Sequence, residues 1–136
     1  HDCFSDNTHN SHRYDAVGIR SAYTGVYTRP DGTELTGPSL AELVSQKDPA
    51  IANELQADLD ATIAAMESMV VRAETVEAYD QMIATDNAEG NATVQAAIDG
   101  LIKQTRSIER AIAALDLGAV ELEGSDSLDS PDAVFQ

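Results

Sequence analysis

The chain has 136 residues, 43% of them hydrophobic, and it carries 24 acidic against 8 basic side chains for a formal net charge of −16. This length and hydrophobic content indicate one folded domain with a single core and exclude global disorder. The acidity disfavours nucleic acid and anionic membrane surfaces as partners, and no run of about 20 apolar residues is present that would span a bilayer.

The residue types available for the core favour helices. With 2 Phe, 4 Tyr and no Trp, aliphatic side chains, methionine and alanine must fill it, and these suit closely packed helices better than a sheet sandwich. The negative charge would attract cations, yet solubility or adaptation to a salty environment accounts for it without a specific site. Cys3 is the one cysteine, so it is either a free thiol or paired with a cysteine in another chain or segment.

The first twelve residues, HDCFSDNTHNSH, concentrate side chains of the types that bind metals. Histidine nitrogens and aspartate oxygens are usual ligands of zinc and iron-type ions, and the spacing of His9 and His12 would place both on one helix face. The same stretch has a structural interpretation, because Asp6, Asn7 and Thr8 are all residue types that cap helix N-termini. No HExxH or CxxC pattern accompanies them, so a metal site and a helix start both stay open.

A first helix is predicted to include residues 14–27. Its apolar stripe comprises Ile19, Ala22, Tyr23, Val26 and Tyr27. Proline and glycine residues across 28–38 are turn signals that end this helix. Ser39 and Glu42 then have the three-residue spacing of a capping box, which predicts the start of a short second helix.

A long helix is predicted to follow, because Asp48 is a good N-cap and Pro49 suits the first helical position. It would span about 22 residues, or about 33 Å. Its apolar stripe comprises Ile51, Leu55, Leu59, Ile63, Met66 and Val70. Thr75 is predicted to cap a shorter helix beyond it.

The last long helix is predicted over about 92–117, with Gly118 at its C′ position. The residues predicted to face inward are Val94, Ile98, Leu101, Ile102, Ile108, Ile112 and Leu115. Gly100 lies inside this helix and indicates the close approach of a neighbour. The tail, residues 119–136, is acidic and rich in serine and aspartate, which predicts an extended or partly disordered segment. The sequence therefore predicts an all-α protein, with an up-and-down bundle of three main helices plus one or two short ones over residues 1–118.

The stretch from His1 to Tyr27 resembles a segment in the second half of the imelysin-like proteins. This bacterial cell-envelope family includes an insulin-cleaving membrane protease and an iron-regulated protein. The shared residues are His1, Cys3, Phe4, Ser5, Asp6, Asn7, Thr8 and His9, then Gly18-Ile19 and Tyr23-Thr24-Gly25-Val26-Tyr27. Asp2 departs from the family, where serine is common at this position. The similarity runs to about residue 118, and the opening nonapeptide is its specific part.

The resemblance implies that the chain is the C-terminal half of a larger protein with two helical-bundle halves and a site between them. The family motif Gly-x-His-x-x-Glu belongs to the N-terminal half and does not occur in this sequence. The expected partner is therefore the N-terminal half of the same precursor. The expected location is the periplasm or the outer-membrane-associated cell envelope of a bacterium.

The leading functional hypothesis that the resemblance implies is a non-enzymatic binding or uptake protein linked to iron or another divalent metal. Ser5, Asp6 and Asn7 would bind the ligand at the junction between the halves, and His1 and His9 would be metal ligands. A metallopeptidase is the alternative; this sequence contains no catalytic constellation, so it would supply only part of such a site. A structural module that presents an apolar or acidic surface to a partner is the third hypothesis.

Overall fold

The computed structural model describes residues 4–118. Within them the chain forms five helices and one two-stranded antiparallel hairpin. In chain order the elements are α1 (Thr8–Thr24), β1 (Val26–Thr28), β2 (Glu34–Thr36), α2 (Leu40–Lys47), α3 (Pro49–Thr75), α4 (Tyr79–Met82) and α5 (Ala88–Ala114). Three long helices and two short ones confirm the predicted all-α bundle. The tail at 119–136 lies outside the described residues, as do His1 and Cys3.

Helix α3 is the centre of the bundle, because α1, α2 and α5 all pack against it. The ion pairs Arg13–Glu67 and Arg20–Asp60 show that α1 runs antiparallel to α3. Polar contacts between α3 and α5 show that this pair is antiparallel as well. Helices α1 and α5 make few contacts with each other, so a groove stays open between them over α3.

The apolar stripe of α3 forms the core, as predicted. Its most buried members are Leu55, Leu59 and Met66. The other two methionines, Met69 and Met82, are also buried and fill the core as expected for flexible side chains. Ile98 and Ile102 of α5 were predicted to face inward, but each is 42% exposed. The prediction is wrong for these two because α3 covers only one side of α5, and both residues lie toward the side that α3 leaves exposed.

The interface between α3 and α5 contains a buried polar cluster. Asp58 is 4% exposed, and its carboxylate accepts a hydrogen bond from the Ser107 hydroxyl at 2.5 Å and lies 2.8 Å from the ammonium group of Lys103. One helical turn away the two backbones approach closely, since a Cβ atom on Gly100 would lie 3.2 Å from the Cα atom of Thr62. The close packing predicted at this glycine is confirmed.

Helix α1 ends earlier than predicted. Gly25, in the left-handed conformation at φ 66°, stops it, and its amide donates to the carbonyl of Ser21 at 2.9 Å. Val26 and Tyr27 were predicted to continue the helical stripe but lie in β1, where Tyr27 pairs with Leu35 of β2. The prediction of helix to residue 27 is wrong, and so is the omission of strands. Three-residue strands are too short to show a detectable alternation.

The turn signals between the two strands are confirmed. Pro30, Asp31 and Gly32 form a three-residue loop, in which Gly32 has φ 83°. The amide of Gly32 donates to the carbonyl of Arg29 at 2.9 Å, and the Arg29 amide donates to the carbonyl of Thr33 at the same distance. This is the hairpin geometry in which a type I turn is followed by a left-handed residue. The amide of Thr33 also hydrogen bonds to the Asp31 carboxylate and lowers the pKa of that group.

Two of the three predicted helix caps after the hairpin are confirmed. The Ser39 hydroxyl accepts a hydrogen bond from the Glu42 amide at 3.1 Å, and the Asp48 carboxylate accepts from two amides in the first turn of α3. Thr75 does not begin a helix. It is the last residue of α3, and its hydroxyl donates back to a carbonyl of the same helix, while α4 starts only at Tyr79.

Helix α5 begins at Ala88, four residues before the predicted start at Ala92. Asn87 is its N-cap, and the side-chain carbonyl of Asn87 accepts a hydrogen bond from the Gly90 amide at 2.8 Å. The polar composition of the preceding loop hid this first turn, because asparagine and glycine are typical of both loops and caps.

The end of α5 also differs from the prediction, because Asp116 and not Gly118 occupies the C′ position. Asp116 has φ 56°. Its amide donates to the carbonyl of Ala113 at 3.1 Å, and the Leu117 amide donates to the carbonyl of Ile112 at 3.4 Å. These two bonds define a Schellman motif, in which glycine is the usual C′ residue. Here an aspartate takes the left-handed conformation instead.

We expect Asp116→Gly to raise the free energy of unfolding by about 0.5–1 kcal/mol, because glycine adopts the left-handed conformation without steric cost. Asp116→Asn is the control for charge, because it removes a negative charge from a helix C-terminus. It should raise the free energy of unfolding by only about 0.3 kcal/mol. Urea unfolding of both variants separates the two effects. A glycine variant no more stable than the asparagine variant would contradict a conformational cost at this position.

Candidate functional site

The segment that carries the family resemblance forms a turn followed by the start of α1. Phe4 to Asp6 make the turn, and Asp6 has the left-handed conformation at φ 49°. Ser5, Asp6 and Asn7 are all exposed. Asn7 is the N-cap, so the predicted helix start at this point is confirmed. Its side chain accepts a hydrogen bond from the Asn10 side chain at 2.9 Å rather than from a helix amide.

His9 follows this exposed turn by two residues and is only 8% exposed. Its Nδ1 atom is fully buried and has no hydrogen-bond partner among the described residues. Leaving a buried polar nitrogen unpaired costs about 1–3 kcal/mol, and native proteins rarely tolerate it without a reason. Ala16 and Tyr23 follow His9 at seven-residue intervals and are also buried, so His9 begins the inward face of α1.

His12 has different surroundings. Its ring centroid lies 6.0 Å from that of Tyr79, with the two rings tilted by 54°. Burial raises the pKa of the Tyr79 phenol. Both rings line a small cavity of about 120 Å³ together with Met66 and Met69 of α3. His12 is therefore a packing residue at this end of the bundle, and its spacing from His9 does not by itself produce a shared site.

The described part of the chain holds no group of three or more histidine, cysteine, aspartate or glutamate side chains placed to bind a metal ion. His1, the other predicted metal ligand, lies outside it. The role of His1 and His9 as metal ligands, and of Ser5, Asp6 and Asn7 as ligand-binding residues, therefore stays a prediction. The structure adds one observation to this prediction, which is that the Nδ1 atom of His9, a nitrogen of the type that binds metals, is buried and unpaired.

Two surface features were not predicted from the sequence. The first is an apolar groove of about 340 Å³ between α1 and α5, which α2 closes on one side. Its walls are formed by Ile19, Ala22, Tyr23, Leu40, Val44, Leu55, Leu59, Ile108, Ala111, Ile112, Leu115 and Leu117. The second is a cleft between α1, α3 and the hairpin, where Arg13, Arg20 and Arg29 meet. The sequence did contain a signal for this cleft, because three arginines fall within seventeen residues of a strongly acidic chain.

The sequence profile of the imelysin family (peptidase M75) matches residues 1–108. This chain belongs to the imelysin family. The match extends from the opening nonapeptide through α1, α2, α3 and α4 and most of α5, so the exposed turn and His9 both lie within the imelysin region. No curated protein matches the chain. Among the described residues of this imelysin bundle, no helix is long and apolar enough to cross a membrane.

Proposed function

We propose that the chain is one helical unit of an imelysin-type cell-envelope protein that binds or takes up iron or another divalent metal. The observation that carries the proposal is the buried and unpaired Nδ1 atom of His9, two residues after the exposed Ser5–Asp6–Asn7 turn. A metal or a bound ligand would supply the partner that this nitrogen lacks.

The donor types in this segment suit such a role. An imidazole nitrogen with carboxylate, amide and hydroxyl oxygens is a mixed donor set of the kind that iron and zinc accept. His9 supplies the nitrogen, and Asp6 and its neighbours supply oxygens on the exposed side. Further ligands would come from His1 or from another helical unit. A formal charge of −16 on the chain favours the approach of cations over anions.

The partner that we propose is the N-terminal half of the same precursor, with the Gly-x-His-x-x-Glu motif. The groove between α1 and α5 supports a second helical unit, because its walls are apolar and two of their residues, Ile19 and Leu40, are 41% and 50% exposed. Phe4, in the turn next to the proposed site, is fully exposed as well. Apolar surface of this extent on a small bundle is typical of an interface.

The test is metal binding by the polypeptide of the complete reading frame, which we expect to contain Gly-x-His-x-x-Glu upstream of His1. Equilibrium dialysis against Fe²⁺, Fe³⁺-citrate and Zn²⁺, with metal analysis, should show a stoichiometric site. His9→Gln and Asp6→Asn should each weaken it by about tenfold or more, since even outer-shell partners of a metal are worth about 10–100-fold. His12→Gln, on the same helix but packed on Tyr79, should bind normally.

Stoichiometric binding that the His9 and Asp6 variants leave unchanged would contradict the site, and absence of any binding would contradict the proposed function. The family's peptidase designation requires a second readout on the same samples. Cleavage of an unfolded protein substrate that a chelator abolishes, and that His9→Gln also abolishes, would replace the binding role by a metallopeptidase role.

A further inference from the structure

A cleft of about 740 Å³ on the opposite side of α1 from the apolar groove gathers positive charge in an otherwise acidic protein. Helix α1, helix α3 and the hairpin form its walls. Its charged lining consists of Arg13, Arg20, Arg29, Asp60 and Glu67. Three of the eight basic residues of the chain thus meet in one concavity, whose side chains sum to +1 where the whole chain carries −16.

Two of these arginines are held by carboxylates. The Nη2 atom of Arg13 lies 3.2 Å from Glu67, and the Nε atom of Arg20 lies 2.5 Å from Asp60. Each pair joins α1 to α3 and orients a guanidinium group in the wall of the cleft. The two carboxylates neutralise most of the charge of Arg13 and Arg20. These two arginines therefore form the wall of the cleft and do not attract an anionic ligand.

Arg29 differs from these two, because it makes no ion pair with any residue that the structure describes. The hairpin turn holds its backbone through hydrogen bonds with Gly32 and Thr33, each 2.9 Å long. Pro30 further restricts this turn. An unpaired guanidinium on a rigid turn at the rim of a cleft is arranged for an anion, since its planar donors bind carboxylate or phosphate with two parallel hydrogen bonds.

Apart from Thr28, the remaining lining is aromatic and aliphatic. Tyr14 and Tyr27 are 63% and 50% exposed and border the cleft, with Val17 and Ile63 in its walls. The guanidinium carbon of Arg13 lies 5.1 Å from the centroid of the Tyr14 ring. Ring faces and aliphatic walls beside one charged group are the composition of a small-molecule site, and the volume falls within the usual range of about 300–1,000 Å³.

We propose that this cleft binds a small organic anion with an aromatic or planar apolar body, whose carboxylate contacts Arg29 and whose body lies against Tyr14 and Tyr27. The site is separate from the nonapeptide turn and takes a ligand of opposite charge to a metal ion. It therefore adds a second binding function to the bundle.

The test uses the full 136-residue chain and 2-naphthoate, with 2-naphthamide as the neutral analogue and inorganic phosphate as an anion without an apolar body. Binding is measured by fluorescence, and the site is located by ¹⁵N chemical-shift changes. We expect naphthoate to bind at least about tenfold more tightly than either comparison compound, as one charge-assisted bidentate contact is typically worth that much. The shifts should centre on Tyr14, Tyr27 and Arg29.

Arg29→Gln is expected to weaken naphthoate binding by about tenfold or more. Arg106→Gln is the matched control, because it removes the same charge from an exposed position on α5 outside the cleft, and it should change the affinity by less than about twofold. Equal affinities of the two arginine variants would overturn the proposal. So would shifts centred on the apolar groove near Val44 and Leu115, equal binding of the acid and the amide, or no binding of naphthoate.

Discussion

Replacing Asp58 by alanine is expected to lower the free energy of unfolding by about 2–3 kcal/mol. The carboxylate is the acceptor at the centre of the α3–α5 interface, where Ser107 is 1% exposed and loses its acceptor in the variant. Arg110 donates to the same Ser107 hydroxyl at 2.8 Å, so the variant also disturbs this second hydrogen bond. Lys103 is 69% exposed and can regain water, which keeps the loss below that of a fully buried ion pair.

The matched control is Asp60→Ala. Asp60 lies two residues further along the same helix and also pairs with a basic side chain, Arg20, but its side chain is 49% exposed. Exposed pairs contribute about 0–1 kcal/mol, so this variant should unfold within about 1 kcal/mol of the parent. Urea unfolding followed by circular dichroism measures both. Equal losses in the two variants would mean that burial of Asp58 adds nothing to its contribution.

The same cluster predicts a dependence of stability on acid pH. Burial by itself raises the pKa of Asp58, but hydrogen bonds from Lys103 and Ser107 and the positive charges of Lys103 and Arg110 outweigh it, so the pKa lies below its ordinary value. A carboxylate with a lowered folded pKa stabilises the protein fully above its unfolded pKa of about 3.9, and the contribution is lost as the pH falls through the folded value. The stability difference between the parent and Asp58→Asn should therefore be constant from neutral pH to about pH 5 and narrow below about pH 4.

Replacing Gly25 by alanine is the second large effect, with an expected loss of about 3 kcal/mol. The left-handed conformation at φ 66° costs a non-glycine residue about 1–2 kcal/mol. A Cβ atom would in addition lie 2.6 Å from the carbonyl oxygen of Gly37 and 2.9 Å from that of Pro38. These are backbone atoms that cannot rotate away, so the chain must shift, at a further cost of about 1–3 kcal/mol.

Gly32→Ala separates the two causes. Gly32 is also left-handed, at φ 83°, but a Cβ atom there would meet nothing within 4 Å. Its expected loss is the conformational part alone, about 1 kcal/mol. Thermal unfolding of both variants gives the difference between their losses of stability, and this difference is the cost of the steric contact at Gly25. If Gly32→Ala were as destabilising as Gly25→Ala, the close contact with Gly37 would contribute nothing to the loss of stability.

The helices of this bundle could be predicted because their signals are local. The apolar stripe of α3 repeats every three or four residues, and Ser39 and Asp48 cap the helices that directly follow them. The opening nonapeptide likewise identified the family, since it is a contiguous run of specific residues. Where a local signal was weak, the prediction failed: the three-residue strands of the hairpin and the aspartate at the C′ position of α5 leave little trace in the sequence.

The candidate sites depended on tertiary structure. Nothing local distinguishes the buried Asp58 from the exposed Asp60, because α5 alone decides which of the two is covered. The sequence presented His9 as one of several polar residues, and only packing showed that its Nδ1 atom is buried and unpaired. The cleft around Arg29 required α1, α3 and the hairpin to be placed together. The sequence by itself thus determined the helical class and the family, since both depend on neighbouring residues. Burial and juxtaposition depend on residues distant in the chain, and only the packed structure could decide them.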